Sequence, residues 1–365
     1  MNSRFKWKPF KPKPGSCVAV AMSGGVDSTI AARRLIEQGH EVIAFHLALT
    51  TNPPALDQAQ TASRLIGLNL EVLDLSLEFE KLIVNPFVRS YVLGETPSPC
   101  VACNPAIKFN LLWEEAKLKG ADYLATGHYA QLVTIEESAT PIMSRPFDRN
   151  KDQTYFLCRL SPETLSRAVF PLANTAKEEV KEEALSLGLT PRMESQDACF
   201  LFGKNYRDFL LARLAQRDIT PGDFVDTEGR VLGRHRGLVH YTIGQRRSLG
   251  IPGPEPYYVL SLDSKNNRVV LGTKQHIFSK VALVRDLVWS FAPSETQFTA
   301  KVQIRSRHRP ALAEVNLLLG NRAKVIFHEP QSAITPGQAA VFYDEDILLG
   351  GGWIEKPSKV SIYFS

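Results

Sequence analysis

From residue 17 to about residue 130, short continuous apolar runs alternate with stretches whose apolar residues recur at helical spacing. CVAVAM (17–22) reads as a buried strand, SGGVDS (23–28) as a loop, and TIAARRLIEQ (29–38) as a helix that stops at Gly39. EVIAFHLAL (41–49) reads as a second strand, 55–66 as a helix, LEVLDL (70–75) as a strand, and the stretch through 79–91 as a helix. A proline-rich turn, TPSPCVACNP (96–105), leads to a helix over 106–119 and the strand DYLAT (122–126). This βαβ repetition predicts an α/β fold, a parallel doubly wound sheet covered by helices on both faces. Residues 177–187 and KNYRDFLLARLA (204–215) read as further helices. Beyond Ile219, β-branched runs separated by DTEG (226–229), DSKNN (263–267) and GN (320–321) predict two small all-β modules that meet near residue 275.

Composition narrows this picture without redirecting it. A chain of 365 residues exceeds what one core usually serves, so two or three domains are expected. With 44% hydrophobic and 22% charged residues, it is neither a coiled coil nor a wholly disordered chain. No apolar run approaches the ~18 residues of a membrane span, and the basic, proline-rich start has no apolar stretch behind it, so a cytoplasmic location is expected. Arg4, Lys6, Lys8, Lys11 and Lys13 supply the whole formal excess of +5. Residues 1–16 therefore read as a flexible basic tail on a body of zero net charge, and any nucleic acid must be drawn there by local patches.

Chemistry concentrates at two places. In the loop between the first strand and helix, Gly24 and Gly25 allow close backbone approach, Ser23 and Ser28 offer hydroxyls, and Asp27 is a candidate catalytic residue, as magnesium ligand or helix cap. The loop lacks the lysine of a Walker A motif, which suits it to pyrophosphate better than to γ-phosphoryl transfer. The second place is the cysteines, of which there are five, an odd number that argues for thiol chemistry or metal over a disulfide scaffold. Cys103 precedes Asn104-Pro105, a good cap and first-turn pair. A thiol at that helix start, with Lys108 one turn further in, is expected to favour the thiolate. Cys100 and Cys103 form a CxxC, open to a redox pair, half a zinc site or, with a third cysteine, an iron–sulfur cluster. Taken alone, Cys199, Cys17 and Cys158 read as core thiols.

SGGxDS between a buried strand and a helix resembles the PP-loop ATP pyrophosphatases, which split ATP between the α- and β-phosphates. In that resemblance Ala21, Met22, Ser23, Gly24, Gly25, Val26, Asp27 and Ser28 bind ATP, with Leu47 and Gly127 at the strand ends where adenine and ribose are expected. Taken together, SGGVDS, CNPAIKF, ATGHYA, KDQTYFL, DACF, HYTIGQRRSLGI and TPGQAAVFYDEDILLGGGWIE resemble the bacterial tRNA-specific 2-thiouridylases in order and spacing, from residue 17 to 355. The resemblance implies a PP-loop catalytic domain over 17–208, a central β-rich tRNA-binding domain over 209–276 and a C-terminal β-barrel over 277–365. It implies ATP with Mg2+, tRNA for lysine, glutamate and glutamine as substrate, and a cysteine desulfurase or sulfur-relay protein as donor. Adenylation of the wobble uridine would precede attack by sulfur held on Cys199 as a persulfide, with Cys103 as the nucleophilic thiol and a disulfide between the two able to close during turnover.

The same resemblance places tRNA at Ser98, Pro99 and Cys100, at His128, at Lys151, Asp152 and Gln153, at Arg307 and His308, and at Gln338. Two positions depart from it. Cys100 stands where aspartate is usual, which opens the reading that Cys100, Cys103 and Cys199 ligate a four-iron four-sulfur cluster, and His308 stands where a tyrosine is expected. Two acid-free basic stretches, 231–254 with Arg234, Arg236, Arg246 and Arg247, and 299–313 with Lys301, Arg305, Arg307 and Arg309, supply the local field for phosphate. His240, Tyr241 and His308 nearby suit base stacking. Two rival readings are an amidating or ligating PP-loop enzyme, which needs no paired thiols, and an ATP-responsive RNA-binding protein without chemistry.

Overall fold

The computed structural model describes residues 7–50, 56–135, 138–190, 198–216 and 219–356. Five strands form a parallel sheet: β2 (Cys17–Ala21), β3 (Glu41–Ala48), β4 (Leu70–Asp74), β5 (Tyr123–Thr126) and β8 (Ala168–Val169), in spatial order β4-β3-β2-β5-β8. Val18, Val20 and Ala44 pack on one face and Ala19, Phe45 and Leu124 on the other, so these strands are apolar on both sides, as a parallel sheet requires. Chain order runs outward from β2 in both directions, and the topological switch point therefore lies between β2 and β5. In open α/β sheets, ligands bind at the carboxyl ends of strands at that point.

Helix α1 (Val26–Glu37) follows β2, and α2 (Leu56–Leu65) follows β3. The short helix α3 (Ser76–Phe79) leads through a wide turn at Glu80–Val84 into α4 (Asn85–Val92). Next, α5 (Pro99–Cys103) passes through a second wide turn, Asn104–Leu111, into α6 (Leu112–Leu118). The expected helix start at residue 106 is thus corrected to Pro99, a first-turn proline that suits a helix start. Pro105 lies inside the helical run instead of opening it. It lacks the N–H for an i→i−4 bond, and the helix widens to an i→i+5 pattern there.

The flexible-tail expectation for residues 1–16 is also corrected from residue 7 onward. β1 (Trp7–Pro9) pairs antiparallel with β6 (Gln131–Ile135), the Phe10 N–H donates to the Leu132 carbonyl at 2.9 Å, and Phe10 meets Tyr123 edge to face. Residues 1–6 lie outside the described residues. β7 (Ser138–Ser144) completes this hairpin and carries it to the C-terminal sheet through the Ser144–Ile347 pairing.

Four strands, β9 (Gly222–Val225), β10 (Val231–His235), β11 (Tyr258–Asp263) and β12 (Arg268–Gly272), make a small sheet in order β10-β9-β12-β11. Six more, β13 (Phe278–Trp289), β14 (Gln297–Gln303), β15 (Ala311–Leu318), β16 (Arg322–Ser332), β17 (Ala339–Asp344) and β18 (Ile347–Ile354), run β18-β13-β16-β15-β14-β17 and close by the β17–β18 pairing. Closure removes the sheet edges. Among the described residues, no helix is long and apolar enough to cross a membrane.

Candidate active site

The phosphate loop leaves β2 at Met22, whose N–H donates to the Phe45 carbonyl at 2.7 Å and holds the loop entrance against β3. The Ser23 N–H donates to Ser28 Oγ at 3.2 Å, Ser28 Oγ donates to the Gly25 carbonyl at 3.0 Å, and the Ser23 and Ser28 hydroxyls lie 3.3 Å apart. Gly24 has φ +81°, and a Cβ there would lie 2.6 Å from the Ala59 backbone nitrogen. Only glycine suits that position. The N-cap of α1 is Gly25, and no side chain caps the helix, so its first-turn N–H groups stand ready for an anion. Gly127, just beyond β5, closes over this turn, since a Cβ on it would lie 2.7 Å from Ser28 N and 2.8 Å from the Asp27 carbonyl carbon. The loop and Gly127 thus meet at the switch point, with a cradle that fits a chain of phosphates.

Asp27 does not cap the helix, and its carboxylate is held by an ion pair. Lys177 Nζ lies 2.6 and 2.7 Å from its two carboxylate oxygens, and the Tyr129 hydroxyl donates to Oδ1 at 3.1 Å. Leu47 is half-buried at the end of β3 and packs on two core clusters. Lys177 and Tyr129 were not legible as site residues. Lys177 opens KEEVKEEALS, which reads as a solvated acidic helix, and nothing local in that stretch announces a buried lysine.

The thiols gather at the same edge of the sheet. Cys103, Phe200 and Leu201 share one apolar cluster with Phe79 and Phe87, and Leu47, Leu49 and Leu73 from the carboxyl ends of β3 and β4 pack against it. Phe200 meets Phe87 edge to face at 5.0 Å, which anchors the short turn Cys199–Leu201 beside α5. Cys103 is buried, Cys100 and Cys199 are exposed, and all five cysteines are free thiols. The core reading of Cys199 is therefore corrected: its two apolar neighbours are buried and its own side is open. That reading holds for Cys158, which is fully buried.

Because α5 starts at Pro99, Cys103 ends a helical turn instead of standing ahead of one, and the expected thiolate is corrected as well. Desolvation pushes the Cys103 thiol up to about 12, with Lys108 pulling it down and the Cys199 and Cys100 thiols adding a smaller upward push. Burial likewise raises Cys100 and Cys199, against Lys108 in both cases. The resting thiols are protonated near neutral pH. Cys103 is accordingly expected to react with iodoacetamide at a rate that rises about tenfold per pH unit between pH 7 and 10. Peptide mass spectrometry reads this directly, and a plateau below pH 9 would overturn the burial argument.

Cys100, Cys103 and Cys199 lie near one another, yet among the described residues no three His, Cys, Asp or Glu side chains are grouped to hold a metal ion. His128 follows β5, shares a 2.7 Å hydrogen bond with Thr126 Oγ1, and is held well below the ordinary histidine value by burial first and Lys108 second, so its imidazole is neutral.

The expected tRNA contacts divide. Arg307, Arg309, Arg236, Arg246 and Arg247 are exposed, while Arg234 pairs with Asp223 at 2.7 Å. His308 is half-buried, with Nε2 2.9 Å from Gln331 Oε1. Several others are absorbed by the fold. Ser98 is buried, Asp152 pairs with Arg145 at 2.9 Å, and Gln153 holds Tyr129 through both its backbone N–H and its side chain. Gln338 Nε2 donates to the Thr96 and Pro97 carbonyls at 2.9 and 3.3 Å, so this barrel residue clamps the turn leading to Pro99 and Cys100. Lys151 is half-buried at the end of a short turn. Tyr241, expected to stack on bases, is 3% exposed against Phe224 and His235 and is corrected to a core residue of the small sheet. It follows Gly237 and a short turn that tuck the chain inward.

Sequence comparison places nearly the whole chain. A family model described as the tRNA methyl transferase HUP domain matches residues 16–203, a tRNA methyl transferase PRC-barrel domain matches 207–273, and an aminomethyltransferase beta-barrel domain matches 279–354. The tRNA-specific 2-thiouridylase MnmA of Pelobacter propionicus is 44% identical over 351 residues, covering 94% of this chain and 98% of its own. That of Moorella thermoacetica is 41% identical over 359 residues, covering 93% and 100%.

The chain belongs to the tRNA-specific 2-thiouridylase family.

Among solved structures, a 4-thiouridine synthetase–RNA complex with bound ATP is similar at 18% identity and TM-score 0.31, covering 48% of this chain and 41% of that one. An NH3-dependent NAD synthetase from Campylobacter jejuni is similar at 17% identity and TM-score 0.31, covering 49% and 66%.

Proposed function

We propose that this chain is a tRNA sulfurtransferase that converts the wobble uridine of tRNA for lysine, glutamate and glutamine to 2-thiouridine at the expense of ATP. One observation carries the reading: a thiol pair, one buried and one open, stands at the carboxyl edge of the sheet from which the phosphate loop emerges. A uridine carbonyl is a poor electrophile and its oxygen a poor leaving group. Transfer of AMP to the C2 oxygen, with loss of pyrophosphate into the cradle of α1, makes that oxygen expellable. Mg2+, when bound with ATP, would offset phosphate charge.

Sulfur arrives on Cys199 as a persulfide from a cysteine desulfurase or relay protein. The open side of the 199–201 turn suits that delivery. The terminal sulfur attacks C2 and AMP departs with the former carbonyl oxygen, leaving uridine joined to Cys199 through an S–S bond. Cys103 then attacks the Cys199 sulfur as thiolate. This releases 2-thiouridine and closes a Cys103–Cys199 disulfide, which an external thiol reduces to restart the cycle. His128, neutral and beside Lys108, offers an uncharged hydrogen-bonding edge at the cleft, and Arg307 with its exposed neighbours offers phosphate contacts.

Incubating the protein with ATP, Mg2+, a cysteine desulfurase with cysteine as the persulfide source, a reducing thiol and unmodified glutamate tRNA is expected to yield thiolated nucleoside by mass spectrometry, with pyrophosphate in equal amount. Binding of tRNA without pyrophosphate release would overturn this reading in favour of a non-catalytic RNA-binding protein.

A further inference from the structure

The first turn of α1 presents a conflict that the pair at its base resolves. Its N–H groups and dipole favour phosphate, yet Asp27 places a carboxylate on that same turn, where an unpaired negative charge would oppose a triphosphate. The carboxylate is met on both oxygens by the Lys177 ammonium at 2.6 and 2.7 Å and on one by the Tyr129 hydroxyl at 3.1 Å. Lys177 is 2% exposed and Tyr129 is 1% exposed, and the ammonium also lies 5.7 Å from the centre of the Tyr129 ring.

Lys177 is itself fixed in place. It opens helix α7 (Lys177–Ser186), whose N-cap, Ala176, has no side chain to offer, and its N–H donates instead to Asp148 Oδ2 at 3.0 Å. The same helix is tied to α1 by Arg34, which pairs with Glu183 at 2.8 Å and reaches the Thr175 hydroxyl.

We infer that Lys177 is a positioning residue for nucleotide binding: it neutralises and immobilises Asp27, so that the first turn of α1 meets the phosphates as a net positive surface. This rests on the ATP reading above. Lys177 acts through Asp27, so its loss is repaired by removing the charge it neutralises.

The test is calorimetric titration of the full chain with an α,β-methylene analogue of ATP and Mg2+. The parent, Lys177→Met, and the double variant Asp27→Asn with Lys177→Met are compared, each with its melting temperature. Lys177→Met is expected to weaken binding about 30-fold or more, and the double variant to return within about threefold of the parent. Where Lys177→Met does not fold, the double variant alone decides. Parental affinity in a folded Lys177→Met, or a folded double variant still weakened tenfold, overturns the inference. A parent that does not bind the analogue overturns the ATP reading itself.

Discussion

Cys199→Ser is expected to lower 2-thiouridine formation by about a thousandfold or more while leaving affinity for the ATP analogue within about twofold. A serine oxygen neither accepts sulfane sulfur nor serves as the sulfur that Cys103 must attack, so both the loading and the release steps are lost together. Phe200 and Leu201, which hold the turn in the aromatic cluster, are untouched, and Cys199 itself is exposed. The deficit is therefore chemical and not one of folding. Cys103→Ser should behave differently. Transfer to uridine proceeds once, and the nucleoside stays joined to Cys199 through its disulfide until an added thiol frees it. Single-turnover assays on protein pre-treated with a persulfide donor, read by nucleoside mass spectrometry with and without dithiothreitol, separate the two variants. Retention of more than a tenth of the parental rate by Cys199→Ser would remove the persulfide from the mechanism.

How far the sequence foretells this site depends on where each residue finds its partner. The phosphate loop is legible because its strand, glycines and helix lie within twenty residues, and local constraints decide its shape. The doubly wound sheet and the two β modules are legible because periodicity is itself local. Lys177 is not, because its partner Asp27 lies 150 residues away and its own helix reads as a solvated acidic face. Trp7–Pro9 is missed for the same reason: Pro9 ends an edge strand that pairs, among the described residues, with β6. At Asn104-Pro105 the local signal misleads. A cap and first-turn pair stands there, yet apolar packing of Val101 and Ile107, both 0% exposed, carries the helix through the proline at the cost of a widened turn. Gln338 has a structural part that its sequence context does not show, since its amide nitrogen holds two carbonyls of the turn leading to Pro99 and Cys100.

Gly127→Ala is expected to weaken binding of the ATP analogue about a hundredfold. The backbone of Gly127 has no positive φ, so the objection to a methyl group is space and not conformation. Ser28 N at 2.7 Å, the Asp27 carbonyl carbon at 2.8 Å and the Asp27 oxygen at 3.0 Å are all backbone atoms of the first turn of α1, and none can swing aside. Relief requires the end of β5 and the start of α1 to part, at the junction where the cradle forms. A shift of even a few tenths of an ångström there misdirects several N–H donors at once, and such misplacement is costly where binding depends on fixed geometry. Gly39→Ala is the matched control. Gly39 has φ +83° but nothing within 4 Å of its missing Cβ, so it should lose about 1 kcal/mol of stability through strain and bind the analogue as the parent does. Titration calorimetry and thermal melts on both variants distinguish crowding at the cradle from general loss of stability. Should Gly127→Ala bind like the parent while Gly39→Ala melts earlier, the nucleotide does not enter between β2 and β5.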